Sequence, residues 1–214
     1  MRGLRFAPLL LALVLASCAP QRQMPLPERA PAFLTDDGYI AVDGLRLPLR
    51  RWLPEGRPAA AIVALHGFND YSNAFAGPAA RLRAEGIAVY AYDQRGFGAA
   101  PGRGLWPGRD ALTRDLRTVA ALGRATHPGL PLFVMGESMG GAVVLAALAR
   151  EPALRPDGAI LIAPAVWGRK TMDGVKRSAL WIAAHTTPWM ELTGRGLGIV
   201  PSDNIEMLRA LARD

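Results

Sequence analysis

A single cysteine, Cys18, and only three histidines occur in 214 residues. One cysteine cannot close an internal disulfide, and no Cys/His group has zinc-ligand spacing, so the sequence is read with no disulfide framework, no metal and no cofactor. Long hydrophobic runs are also missing. The most apolar stretch, "FAPLLLALVLA" over residues 6–16, falls well short of the roughly 20 residues a membrane span requires. The formal charge is +7, yet Arg46, Arg50, Arg51, Arg81, Arg83, Arg95, Arg103 and Arg109 are scattered through the chain. With no dense basic run and no nucleic-acid motif, a solvated surface is expected and nucleic acid is not a partner.

What the sequence does have is hydrophobic residues for half its length, enough for one sizeable core in one domain. Its N-terminus resembles an export signal: Arg2 and Arg5 precede the apolar run, and "LASC" follows it. An apolar residue, two small residues and a cysteine resemble the lipobox of bacterial lipoproteins, whose cysteine is lipidated and becomes the first residue. The expectation is an exported lipoprotein of the cell envelope, with residues 1–17 removed and Cys18 holding the chain to a membrane. Residues 18–35, which include "CAPQRQMPLPERAPAF", are proline-rich and lack periodicity, so they are read as a tether.

From Asp36 the pattern changes. "YIAVDGLRLPLRRWLP" alternates around "DG", which predicts a two-stranded hairpin with Pro48 tolerable only at a sheet edge. Short apolar runs then recur as "AAIVALHG" (60–67), "IAVYAYD" (87–93), "LPLFVMGE" (130–137) and "GAILIAP" (158–164), each with the look of a buried parallel strand. Between them, "NAFAGPAARLRAEG", "RDALTRDLRTVAALGRATH" and "SMGGAVVLAALARE" carry helix-compatible spacing closed by glycine or proline. Alternating elements of this kind predict an α/β fold with a mostly parallel, doubly wound sheet over residues 36–166.

"GESMG", Gly136 to Gly140, fits G-x-S-x-G directly after a predicted strand and before a predicted helix. Ser138 is therefore the candidate nucleophile on a sharp turn, with Gly136 and Gly140 making room where strand and helix crowd. In such a site the loop after the "HG" strand and the residue after the nucleophile each donate a backbone N–H to an oxyanion hole. That nominates Phe68 and Met139. His66 is read as a histidine fixing its loop, and His127 in "RATHPG" as an ordinary residue of a helix C-terminus.

"HGFNDYSNAF", "YDQRGFG", "GRG", "GESMGG" and "LIAPA", in this order, resemble the α/β-hydrolases of the monoacylglycerol lipase, lysophospholipase and serine aminopeptidase S33 group from about Gly38 onward. The resemblance implies a serine hydrolase of carboxylic esters, such as monoacylglycerol or lysophospholipid, with a Ser, Asp, His triad and no metal. Phe97 stands where the family usually has histidine in D-x-R-G-H-G. In the family the acid and base follow two further strands. Here residues 167–214 read instead as lid-like helices and loops with Trp181, Trp189 and Met190, so the sheet is expected to be incomplete and the chain to lack the usual Asp and His. Two other readings stand beside this one. A short hydrolase could use His185 oriented by Asp157 or Asp173, or the chain could be a non-catalytic, membrane-anchored lipid-binding lipoprotein.

Overall fold

The computed structural model describes residues 22–24, 26–166 and 172–186. The chain divides into two units, Gln21–Asp173 and a second made of Met1–Pro20 with Gly174–Asp214.

The first unit is built on seven strands: β1 Phe33–Leu34, β2 Gly38–Ile40, β3 Arg46–Trp52, β4 Ala60–Leu65, β5 Ile87–Tyr92, β6 Leu132–Glu137 and β7 Gly158–Ile162. Their order across the sheet is β1-β2-β3-β5-β4-β6-β7. The first three strands run antiparallel to their neighbours, whereas β5, β4, β6 and β7 pair in parallel. After a helical turn at Ser72–Phe75 come α1, Ala76–Ala84, then α2, Arg109–Thr126, and α3, Met139–Arg150. Apart from β1 and the helical turn at Ser72–Phe75, these are the expected strands and helices.

Alternation along the central strands explains the layers. Ala61, Val63 and Leu65 of β4, Ala88, Tyr90 and Tyr92 of β5, and Leu132 and Val134 of β6 are buried with Leu112, Leu116 and Val119 of α2 and Val143 and Val144 of α3. Ile62 and Ala64, Val89 and Ala91, and Met135 face the other way and are buried with Phe75 and Ala79. Strands covered on both faces read as continuous apolar runs, and these do. The buried positions of α2 fall three or four residues apart, as on one helical stripe.

Three segments differ from the sequence reading. Pro48 lies in β3, between β2 and β5, and not at a sheet edge. It is tolerated because the β3–β5 ladder begins one residue later, at Leu49↔Tyr92, while the Pro48 carbonyl still accepts from Asp93 N–H at 2.9 Å. The segment read as a tether is partly ordered on the domain: Phe33 and Leu34 form β1 against Ile40 and Tyr39, and Arg22 bridges Trp106. β7 is parallel to β6 as expected, but it is not buried. Ile160, Leu161 and Ile162 are 40%, 38% and 45% exposed, because among the described residues no strand lies outside β7.

The described part of the second unit is α4, Gly174–Thr186. Its Trp181 ring stacks on His185 at 4.3 Å, and Val175, Leu180 and Ile182 are exposed. No helix among the described residues is long and apolar enough to cross a membrane. Residues 1–17, Cys18, Trp189 and Met190 lie outside the described residues.

Candidate active site

The carboxyl ends of β4 and β6, which are neighbours in the sheet, bring two loops together. β6 ends at Glu137 and α3 starts at Met139, so Ser138 alone makes the turn. Its backbone has φ 49° and ψ −113°, a conformation that a residue with a Cβ adopts only when its surroundings impose it. The imposing contacts are main-chain ones. Ser138 N–H donates to the Ile162 carbonyl at 2.9 Å, and the Ser138 carbonyl accepts from Ala142 N–H at 3.1 Å and Ala165 N–H at 2.9 Å.

Glycine is required on both sides of this turn. A Cβ on Gly136 would stand 2.5 Å from the Gly140 carbonyl carbon, and one on Gly140 would stand 2.2 Å from the Leu65 oxygen. Both distances are far inside van der Waals contact, so strand, helix and β4 close on one another only without side chains there. From the other loop, the Cβ position of Gly67 is 3.5 Å from the Ser138 Cβ. Phe68 follows Gly67, and Met139 is the first residue of a helix whose leading N–H groups have no partner within it.

His66 is fully buried and spoken for at every polar atom. Its Nε2 accepts Gln94 N–H at 3.0 Å, which leaves the proton on Nδ1 to be donated to the Gly67 carbonyl at 2.8 Å. The Gln94 side-chain amide donates to the His66 carbonyl at 2.8 Å. Burial holds the imidazole below its ordinary pKa, so it is neutral at pH 7 and has no free nitrogen for a proton in transit. Phe97, the residue that departs from the family pattern, places its ring edge-on to His66 at 5.8 Å and to Phe68 at 5.4 Å.

The loop after β5 is fixed from beneath. Asp93 accepts Ser72 N–H and Ala99 N–H, both at 2.9 Å, joining the β4 and β5 loops. Arg95 is buried between two carboxylates, donating to Asp43 at 2.6 and 3.1 Å and to Asp115 at 2.6 and 2.9 Å. The sequence showed Asp43 only as a turn residue, and nothing in it signalled the Gln94 contacts with His66. A further unforeseen group is Glu137, whose carboxyl is pushed up by burial and then by the charge of Asp70.

Within the Gln21–Asp173 unit, the structure keeps His127 and Asp157 apart from this turn. His127 hydrogen bonds through Nε2 to the Tyr90 hydroxyl at 2.7 Å, at the C-terminal end of α2. Asp157 precedes β7 and accepts Leu132 N–H at 2.8 Å, so it sits at the amino ends of the strands whose carboxyl ends flank Ser138. The Leu132 N–H, and then Arg124, hold its carboxyl below the usual range. His185 is committed through Nδ1 to the Trp181 carbonyl at 2.7 Å, within α4.

A mostly parallel sheet with its strained serine turn between strand and helix defines the α/β-hydrolase class. The structure of the α/β-hydrolase GrgF from Penicillium sp. sh18 matches with a TM-score of 0.61, over 86% of this chain and 67% of that one, at 24% identity. The description of the family "Serine aminopeptidase, S33" matches residues 56–214, and the chain belongs to that family. It is 30% identical over 182 residues to the monoacylglycerol lipase of Mycolicibacterium smegmatis, covering 84% of this chain and 60% of that protein. It is 33% identical over 128 residues to the human monoglyceride lipase, covering 59% of this chain and 42% of that protein. The chain thus spans less than two thirds of the length of either relative.

Proposed function

We propose that the chain is the serine-bearing part of a carboxylic ester hydrolase, with Ser138 as nucleophile and lipid esters such as monoacylglycerols or lysophospholipids as substrates. The observation that carries this reading is the strained Ser138 turn, set against the loop of His66, Gly67 and Phe68. A hydroxyl on such a turn stands clear of the sheet for attack on the face of a carbonyl group. The Phe68 and Met139 backbone N–H groups are the donors assigned to the developing oxyanion. The lipid preference draws support from the lipase relatives.

An unassisted serine is a poor nucleophile at neutral pH, so a base must take its proton. His66 and His127 are both occupied, and the base is assigned outside the Gln21–Asp173 unit. A fluorophosphonate probe followed by peptide mass spectrometry tests these assignments. Labelling is expected at Ser138, to be abolished in Ser138→Ala and to proceed much faster in a form extended with the family's last two strands. Labelling of the 214-residue chain that is fast and lost in His185→Ala would transfer the base role to His185. Lipid binding without any labelling would instead favour the non-catalytic reading.

Export and lipidation at Cys18 complete the proposal, on the strength of "LASC" after the apolar run. Cys18→Ala is expected to move the exported protein from the membrane to the soluble fraction. An unmodified Cys18 thiol on the exported protein would refute it.

A further inference from the structure

Shortly after Cys18 the chain is tied to the domain at one point. The Gln23 side-chain amide is shared among the carbonyls of Pro101, Gly102 and Leu105 at 3.3, 3.1 and 3.1 Å, and Gln23 N–H donates to the Trp106 carbonyl at 3.1 Å. The seat is made for this side chain. Gly96 and Gly102 both have positive φ, and a Cβ on either would approach the Gln23 Nε2, to 3.3 and 2.7 Å respectively.

The loop that holds Gln23 is the β5–α2 connection, at the same end of the sheet as Ser138. Gly96 adjoins Phe97, whose ring packs on Phe68, and Gly67 adjoins the Ser138 Cβ. This end of the domain exposes Met24, Phe68 and Trp106, which are 79%, 61% and 41% accessible. Exposed Arg22 and Arg103 flank them, and neither residues 22–27 nor residues 96–109 contain an acid. Exposed apolar side chains that include a tryptophan and are edged with arginine suit the boundary of an anionic bilayer, with Asp70 two residues after Phe68 and Glu28 and Asp110 just outside the two acid-free stretches. Cys18 is five residues from Gln23, and a fully extended chain of that length reaches only about 17 Å.

We propose that the Gln23 knot orients the protein, so that a chain anchored at Cys18 rests its Ser138 end, through Met24, Phe68 and Trp106, on an anionic phospholipid surface. The proposal rests on lipidation of Cys18. Without the knot, the first tie of the chain to the domain would come only at Arg29 and Ala30, whose N–H groups donate to the Val42 carbonyl, and the domain could turn more of its surface to the membrane. With it, the mouth of the site meets the phase in which a lipid ester is dissolved.

The test separates the two readings by supplying the anchor chemically. The purified full chain is coupled through the Cys18 thiol to a maleimide-headgroup phospholipid in vesicles of phosphatidylglycerol and phosphatidylcholine. Hydrogen–deuterium exchange is then compared with the uncoupled protein. Residues 22–24, 66–70 and 96–106 are expected to gain several-fold protection while the opposite end, 127–131 and 153–157, gains none. Gln23→Ala, and independently Gly102→Ala, should erase the difference between the ends with thermal unfolding little changed. Arg103→Glu, which leaves the bonds of the knot in place, should weaken it. Equal protection of both ends, or protection unaffected by Gln23→Ala, would overturn the proposal. Equal protection on phosphatidylcholine alone would overturn its anionic part, and protection that grows with protein density would point to a second copy. Mass spectrometry of Cys18 on the exported protein reports on lipidation separately.

Discussion

The residues around Ser138 are constrained more tightly by main-chain atoms than by their own side chains. Gly140→Ala would drive a methyl group into the Leu65 carbonyl, a backbone atom fixed in the central strand. It is expected to cost about 3 kcal/mol, the upper end of overpacking costs, read as a lower urea midpoint. Gln94→Glu tests the hold on His66 without a change of shape. It faces the buried His66 carbonyl with an acceptor where a donor stood, at a cost of about 1–3 kcal/mol for the unmade bond. Little loss of stability in urea would mean that the Gln94 amide contributes nothing to holding the loop.

Elements are joined here by charge as well as by burial. Arg95 ties the β2–β3 turn, through Asp43, to α2, through Asp115, with all three side chains out of water. Arg95→Met would take the arginine from buried Asp115 and leave Asp43 with Arg114 at 3.4 Å, and is expected to lose about 3–5 kcal/mol, part of which returns when Asp43→Asn and Asp115→Asn are added. A single variant as stable as the parent protein would contradict this. Along β7, whose outer edge is unpaired among the described residues, Leu161→Lys is expected to reduce any concentration-dependent association seen by light scattering, because a charge on such an edge discourages strand pairing. These two cases also mark what the sequence could show. β4, β5 and β6 were legible because strands covered on both faces are apolar throughout, and the serine turn because its glycines answer to a steric demand. The exposure of β7 followed from the resemblance, which sets two further strands beyond it, and not from the run alone, since an apolar run states what a strand would bury and not what covers it. The seating of residues 22–24 on the domain was hidden, because it depends on Gln23 and on loop carbonyls far away in sequence.

For the molecule as a whole, acid is the sensitive direction. Burial holds His66 and His127 below their ordinary value, so between about pH 6.5 and their folded values the unfolded chain binds protons that the folded chain does not. Their contribution is complete above pH 6.5 and is lost as pH falls below it. Glu137 acts in the opposite sense, since its raised carboxyl gains relative stability as pH falls through its folded value. Urea midpoints are expected to be flat from pH 8 to 7 and to fall toward pH 5, less steeply in His127→Gln. A flat profile through pH 5 would show that neither imidazole resists protonation in the fold.

The hydrogen bonds that tie the Ser138 backbone to the Ile162 carbonyl and the Ala165 N–H also set an order of events during synthesis. Ser138 is made well before its partners, and Ala163 between them takes a positive φ of 41° to place them. A nascent chain that has not yet emerged past residue 165 therefore has the serine but not the turn. The strained conformation of Ser138 is closed only when β7 docks, so in synthesis the turn is completed with the last of the described strands.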